Sequence, residues 1–144
     1  MLWGAADWLG ARQKPLSEEA VRNLSVSQVP RFDRVATRHY SLKAQRASDI
    51  LLRSQIFLPG LLLADPSIRR DAGRSAVVAG SVFLANYGLV KFVKVCVQRT
   101  RPLAYNPNAP MEARAHVDAR RSFYSGHASM SAAMSMVTAR IWCD

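Results

Sequence analysis

The sequence predicts an all-α fold, a membrane-associated helical bundle, and three observations carry that expectation. Ser54 to Ala64 holds no charge and includes the Ile56-Phe57-Leu58 and Leu61-Leu62-Leu63 clusters. Ser75 to Val90 is a sixteen-residue run without a charge. From Gly126 to Trp142 a small-residue helical pattern follows, with Ala128, Ser131, Ala132 and Ser135 on closely related faces. If Lys91 and Lys94 belong to the second of these helices, residues 72–97 are long enough at about 1.5 Å per residue to cross a hydrocarbon core roughly 30 Å thick. The chain of 144 residues is 49% hydrophobic, which suits one domain with a core, and its seven Gly and seven Pro exclude a collagen-like or low-complexity chain. A mean hydropathy of −0.05 by itself points to a soluble protein, but an average conceals segments, and here the segments decide.

In chain order, Met1 to Asp7 lacks a basic region, an apolar run and a small-residue cleavage site, so no cleaved leader is expected. Ser17 followed by Glu18 and Glu19 reads as an N-cap with acids in the first turn, opening a short helix through about Leu24. Pro30 closes that segment. Arg31 to Arg46 alternates basic residues with Phe32, Val35, Tyr40 and Leu42, a pattern shared by a membrane-interface helix and a solvated one. Residues 1–46 are therefore expected to form a polar or interfacial segment, and residues 47–144 the domain proper. Asp65 to Arg74 is a polar connection. In the helix after it, Ala76, Ala79, Gly80, Ala85 and Gly88 suit close helix packing. Pro102 is expected to break this helix, and Leu103 to Ser122, with two prolines and two asparagines, to be a long polar loop.

Twenty Lys and Arg against ten Asp and Glu give a net charge of +10, so polyphosphate, nucleic acid or an anionic membrane surface fits better than a basic ligand. Two cysteines, Cys96 and Cys143, exclude a disulfide framework and a four-cysteine zinc site; neither a metal nor a cofactor is expected.

Two constellations carry chemistry. On a continuous helix Tyr87, Lys91, Lys94, Gln98 and Arg101 fall in one narrow sector, because their spacings are four, three, four and three. No acid lies within a turn or two of this stripe in the sequence, so an anion is expected to meet it, unless it is only a solvated basic face or lysines reaching a membrane surface. Ser125-Gly126-His127 precedes the last helical pattern and therefore sits at a helix N-terminus. Free backbone N–H groups and the positive dipole end bind anions there, Gly126 lets the backbone approach closely, and Ser125 adds a hydroxyl. His127 is placed to protonate an oxygen leaving that anion.

Lys94, six residues, then Arg101-Pro102, and later Ser122-Phe123-Tyr124-Ser125-Gly126-His127-Ala128-Ser129, resemble the first two signature motifs of the phosphatidic acid phosphatase type 2 and haloperoxidase superfamily. Ala47-Ser48-Asp49, Tyr105-Asn106-Pro107 and Asp118 resemble its bacterial membrane-bound branch, so that roughly residues 30–144 are covered. The resemblance implies a helical bundle of that kind in which Lys94 and Arg101 hold phosphate oxygens, Ser125 and Gly126 donate to them, and the catalytic His127 protonates the leaving group. Two departures accompany it. Tyr124 stands where the family usually has proline. The family's third motif, Ser-Arg, five residues, His, three residues, Asp, supplies the nucleophilic histidine, and no histidine follows His127 here. The chain is accordingly expected to be truncated at its C-terminus and impaired in turnover, since positive charge stabilises an attack but does not perform one.

The expected activity is that of a membrane phosphatase acting on lipid phosphates or isoprenoid diphosphates, integral to a bacterial inner membrane, with no nucleic acid as partner. The alternatives are a basic helical nucleic-acid-binding module, which leaves the apolar runs unexplained, and a vanadate-binding haloperoxidase relative. Orientation is read two ways. Asp65–Arg74 carries three basic residues against eight in 12–46 and seven in 91–121, which by the positive-inside rule puts the motif face in the cytoplasm. The resemblance puts it on the periplasmic side, and that side is preferred because several of these cations would be engaged by phosphate.

Overall fold

The structure, a computed structural model, describes residues 14–143, so the reading of Met1 to Asp7 lies outside it. Every regular element among the described residues is helical. The α-helices are α1 (Glu18–Arg22), α2 (Leu42–Leu61), α3 (Pro66–Arg70), α4 (Ala72–Val97), α5 (Met111–Ala115) and α6 (Gly126–Cys143). Single turns of 3-10 helix at Val26–Gln28, Leu62–Ala64, Pro102–Tyr105 and Val117–Arg120 and a longer one at Arg31–Arg38 complete the set. The all-α expectation holds.

The Ser17 cap forms as expected: Ala20 N–H donates to Ser17 Oγ at 3.2 Å. The basic segment after Pro30 is not one helix. It winds as 3-10 helix only to Arg38, His39 is extended at φ −108° and ψ 121°, and α2 starts afresh at Leu42. Side chains bonding to backbone account for the tight winding. Arg34 donates through Nε to Val29 O (2.9 Å) and through Nη2 to Ser27 O (3.1 Å), while the buried Thr37 donates through Oγ1 to Arg34 O (2.7 Å).

The long helix α4 also ends earlier than Pro102 suggests. Gln98 adopts φ 48°, the left-handed conformation that stops a helix, and its N–H donates to Lys94 O at 3.2 Å. The expected loose loop after it is an ordered connection. Ala104, Asn106, Ala109 and Ala119 are buried, and Asn106 Oδ1 accepts from Asn108 N–H at 2.9 Å. Prolines at 102, 107 and 110 punctuate short helical turns, two of which they initiate, Pro102–Tyr105 and α5.

The chain forms two compact units. One comprises the described residues up to Leu42 with Lys91–Tyr124. Its core holds Val21, Val29, Val95, Ala104 and Ala119, and Arg114 Nε donates to Ala104 O at 3.0 Å. The other comprises Lys43–Val90 and the described residues from Ser125 onward. There α6 buries Met130, Met134 and Val137, one stripe at spacings of four and three, so the third apolar segment is a half-buried helix. Polar contacts fasten α6 to its neighbours: Ser129 Oγ donates to Asn86 Oδ1 of α4 at 2.6 Å, and Ser135 Oγ to Gln55 Oε1 of α2 at 2.8 Å.

Two stretches, Leu42–Ala64 and Ala72–Val97, are long and apolar enough to cross a membrane, with mean hydropathies of 1.3 and 1.6. Only 6% and 11% of their most apolar windows are buried inside the protein, whereas the core helix of a soluble protein would be mostly covered.

Candidate functional site

Lys94 occupies the last turn of α4 and Arg101 lies beyond the helix end, in the first of the two units. The single stripe expected from helical spacing is therefore corrected. Tyr87, Lys91 and Lys94 share the helix, but Gln98 terminates it and Arg101 is extended at φ −70° and ψ 144°, the conformation favoured before a proline. Arg101 remains an electrostatic neighbour of Lys94, together with Arg121 and Asp118. Two backbone bonds create this grouping. Arg101 N–H donates to Ala119 O at 2.6 Å and Ser122 N–H to Arg99 O at 2.9 Å, drawing residues 118–122 alongside residues 99–101. The chain fold thus supplies the acid that sequence proximity lacked: Asp118 pairs with Arg121 at 3.4 Å and is half-exposed. The resulting cluster holds three cations and one carboxylate, a net positive site that favours an anion.

Ser125, Gly126 and His127 lie in the second unit, at the start of the eighteen-residue helix α6. Ser125 acts as the cap: its Oγ accepts from Ala128 N–H at 3.3 Å and its carbonyl from Ser129 N–H at 3.0 Å. The Oγ proton is left to donate elsewhere. Gly126 and His127 supply first-turn N–H groups that have no partner within a helix. His127 Nε2 meets Asp49 Oδ1 of α2 at 2.8 Å, with both side chains close to half exposed. A carboxylate on one ring nitrogen orients an imidazole and leaves Nδ1 for a proton transfer.

The five expected residues therefore fall into two groups, the cationic one in the first unit and the helix-start one in the second. Sequence reasoning missed Arg121 as a member of the first and Asp49 as the partner of His127. Asp49 stands 78 residues from His127, and no local pattern links them. A pocket of about 440 Å³ in the second unit, lined by Asp65, Asp71, Arg74, Arg140 and Trp142 among others, includes none of the five. Among the described residues no group of three or more His, Cys, Asp or Glu side chains is gathered to hold a metal ion.

Comparison with known proteins finds no curated protein and no solved structure that matches the chain. The sequence model of the PAP2 superfamily matches residues 75–144, a stretch that contains Lys94, Arg101, Ser125, Gly126 and His127. Over those residues, just under half of the chain, the sequence is similar to the PAP2 superfamily, and that similarity supports a phosphatase-type function in general.

Proposed function

We propose that this protein is a membrane phosphatase of lipid phosphates, hydrolysing phosphomonoesters or diphosphates of the phosphatidate or isoprenoid type. By the resemblance to the PAP2 superfamily, the phosphate-binding roles fall to Lys94 and Arg101 in the first unit, and to Ser125 and the backbone N–H groups of Gly126 and His127 in the second. His127, oriented by Asp49, passes a proton to the ester oxygen as the P–O bond breaks. The observation that carries this reading is the helix start at Ser125 to His127, where a capping serine, two first-turn amides and a carboxylate-oriented imidazole stand together inside a stretch matching the PAP2 superfamily. The lipid class is supported by the two uncovered apolar helices, whose length and composition suit a bilayer. For the setting we propose a bacterial inner membrane, with the motif face on the periplasmic side. The domain reading of residues 1–46 as interfacial and 47–144 as the phosphatase part belongs to the same proposal.

The attacking group is not assigned. His116 is exposed and its Nδ1 accepts from Asp118 N–H at 3.2 Å, a local turn contact, and His39 belongs to the basic N-terminal segment. These 144 residues on their own are therefore expected to bind phosphate well and hydrolyse phosphoesters slowly or not at all.

Inorganic vanadate binding by the detergent-solubilised chain, compared among three variants, tests the roles. Lys94→Ala and Arg101→Ala should each weaken binding by about tenfold, on the order of one charge-assisted contact. His127→Ala should weaken it less. Equal affinity in all three would contradict the assignment, and brisk hydrolysis of a phosphomonoester by the chain alone would overturn the statement about the nucleophile.

A further inference from the structure

The cationic cluster is braced from a part of the chain that lies outside the residues matching the family. Asp33, in the 3-10 helix Arg31–Arg38, forms an ion pair with Arg99, with both side chains 30% exposed. The 3-10 helix is itself anchored by the Arg34 bonds to Val29 O and Ser27 O, and it packs against Pro102–Tyr105. Arg99 is the residue whose carbonyl receives Ser122 N–H, and two residues later Arg101 N–H reaches Ala119 O. Holding the Arg99 side chain therefore holds the short backbone pairing that sets Arg101 beside Arg121. Further bonds run the same way: Leu16 N–H donates to Ala115 O at 3.1 Å, and Arg114 Nη2 reaches Val21 O at 3.5 Å.

We propose that Asp33 is a positioning residue for phosphate binding, acting through its ion pair with Arg99 to fix the segment that presents Arg101. The proposal rests on the phosphate reading of Lys94 and Arg101, and the N-terminal segment becomes a working part of the site. A freely moving Arg101 would have to be ordered when the anion binds, at a cost in affinity. The ion pair removes part of that cost beforehand.

The test uses the full chain in detergent, inorganic vanadate as the probe, and amide hydrogen exchange of residues 99–122 without ligand. Asp33→Asn should raise the vanadate Kd about fivefold, the size of a partly exposed ion pair, and accelerate exchange at Arg101 and Ser122. Asp33→Glu should restore both to within about twofold. In an Arg101→Ala background, Asp33→Asn should add nothing, which a general loss of stability would not reproduce. Wild-type affinity and exchange in a folded Asp33→Asn protein would overturn the proposal, as would an undiminished fivefold loss in the Arg101→Ala background. If Asp33→Asn does not fold, the exchanged pair Asp33→Arg with Arg99→Asp decides: near-native exchange and affinity support the brace, and failure to recover either refutes it. Should the wild-type chain not bind vanadate, the phosphate reading falls, and exchange at Arg101 and Ser122 still decides whether Asp33 fixes that segment.

Discussion

Leu84 lies twelve residues into α4 and is 52% exposed, which makes it a direct probe of what surrounds that helix. The 26 residues of α4 extend about 39 Å at about 1.5 Å per residue, so Leu84 falls near the middle of a hydrocarbon core roughly 30 Å thick. In lipid, replacing a central leucine by aspartate changes the insertion free energy by about 3–4 kcal/mol, since leucine contributes about −0.3 to −0.6 and aspartate about +2.5 to +3.5. That corresponds to a factor of about 10²–10³ in the insertion equilibrium. In water, the same substitution at a half-exposed position would alter stability by about 0.5 kcal/mol. The two environments therefore differ severalfold in predicted energy. A glycosylation-reporter insertion assay on residues 66–104, read as the ratio of inserted to translocated segment, should show the inserted fraction collapse for Leu84→Asp and persist for Leu84→Ile. An unchanged ratio, or a segment that never inserts, would refute the membrane reading of α4 and with it the lipid substrate.

Two other variants separate roles that one residue combines. Ser125→Asp should cap α6 at least as well as serine, because aspartate is a strong N-cap and its charge suits the positive helix end, yet it should repel an oxyanion. Thermal unfolding should show an unchanged or raised Tm while vanadate affinity falls by at least about tenfold, whereas Ser125→Ala should lower stability by about 0.5–1 kcal/mol; native affinity in Ser125→Asp would remove Ser125 from the anion site. Asp65 caps α3, accepting from Ser67 Oγ at 2.5 Å and Ser67 N–H at 2.8 Å, and these bonds hold its pKa below the ordinary 3.8. A depressed carboxylate pKa means that the cap's contribution is complete above about pH 4 and disappears as pH falls through the lowered value. Circular dichroism between pH 5 and 2 should therefore show an acid-sensitive component absent from Asp65→Asn, and identical acid profiles would contradict the assignment.

What could be read from the sequence was local chemistry. Ser17 announced its helix through a side chain that reaches three residues ahead, and Ser125-Gly126-His127 announced a helix start in the same way. The apolar runs displayed α2 and α4 because their composition is their signal. Helix ends without glycine or proline were hidden. Gln98 terminates α4 although nothing in its identity favours a left-handed backbone, and the sector argument that joined Lys94 to Arg101 failed there for that reason. The two backbone bonds between 99–101 and 119–122 nevertheless keep Arg101 an electrostatic neighbour of Lys94. Pairings across long stretches of chain, Asp49 with His127 and Asp33 with Arg99, have no period or spacing and emerge only when helices are placed side by side.

The left-handed turn at Gln98 also marks where stability has been left unclaimed. A side chain held at positive φ costs about 1 kcal/mol relative to one in the right-handed region, and glycine avoids that cost at the same backbone angles. Anyone engineering a hardier version of this protein would begin at position 98. Gln98→Gly preserves the N–H that closes onto Lys94 O while relieving the one stereochemically unfavourable joint between the two cations.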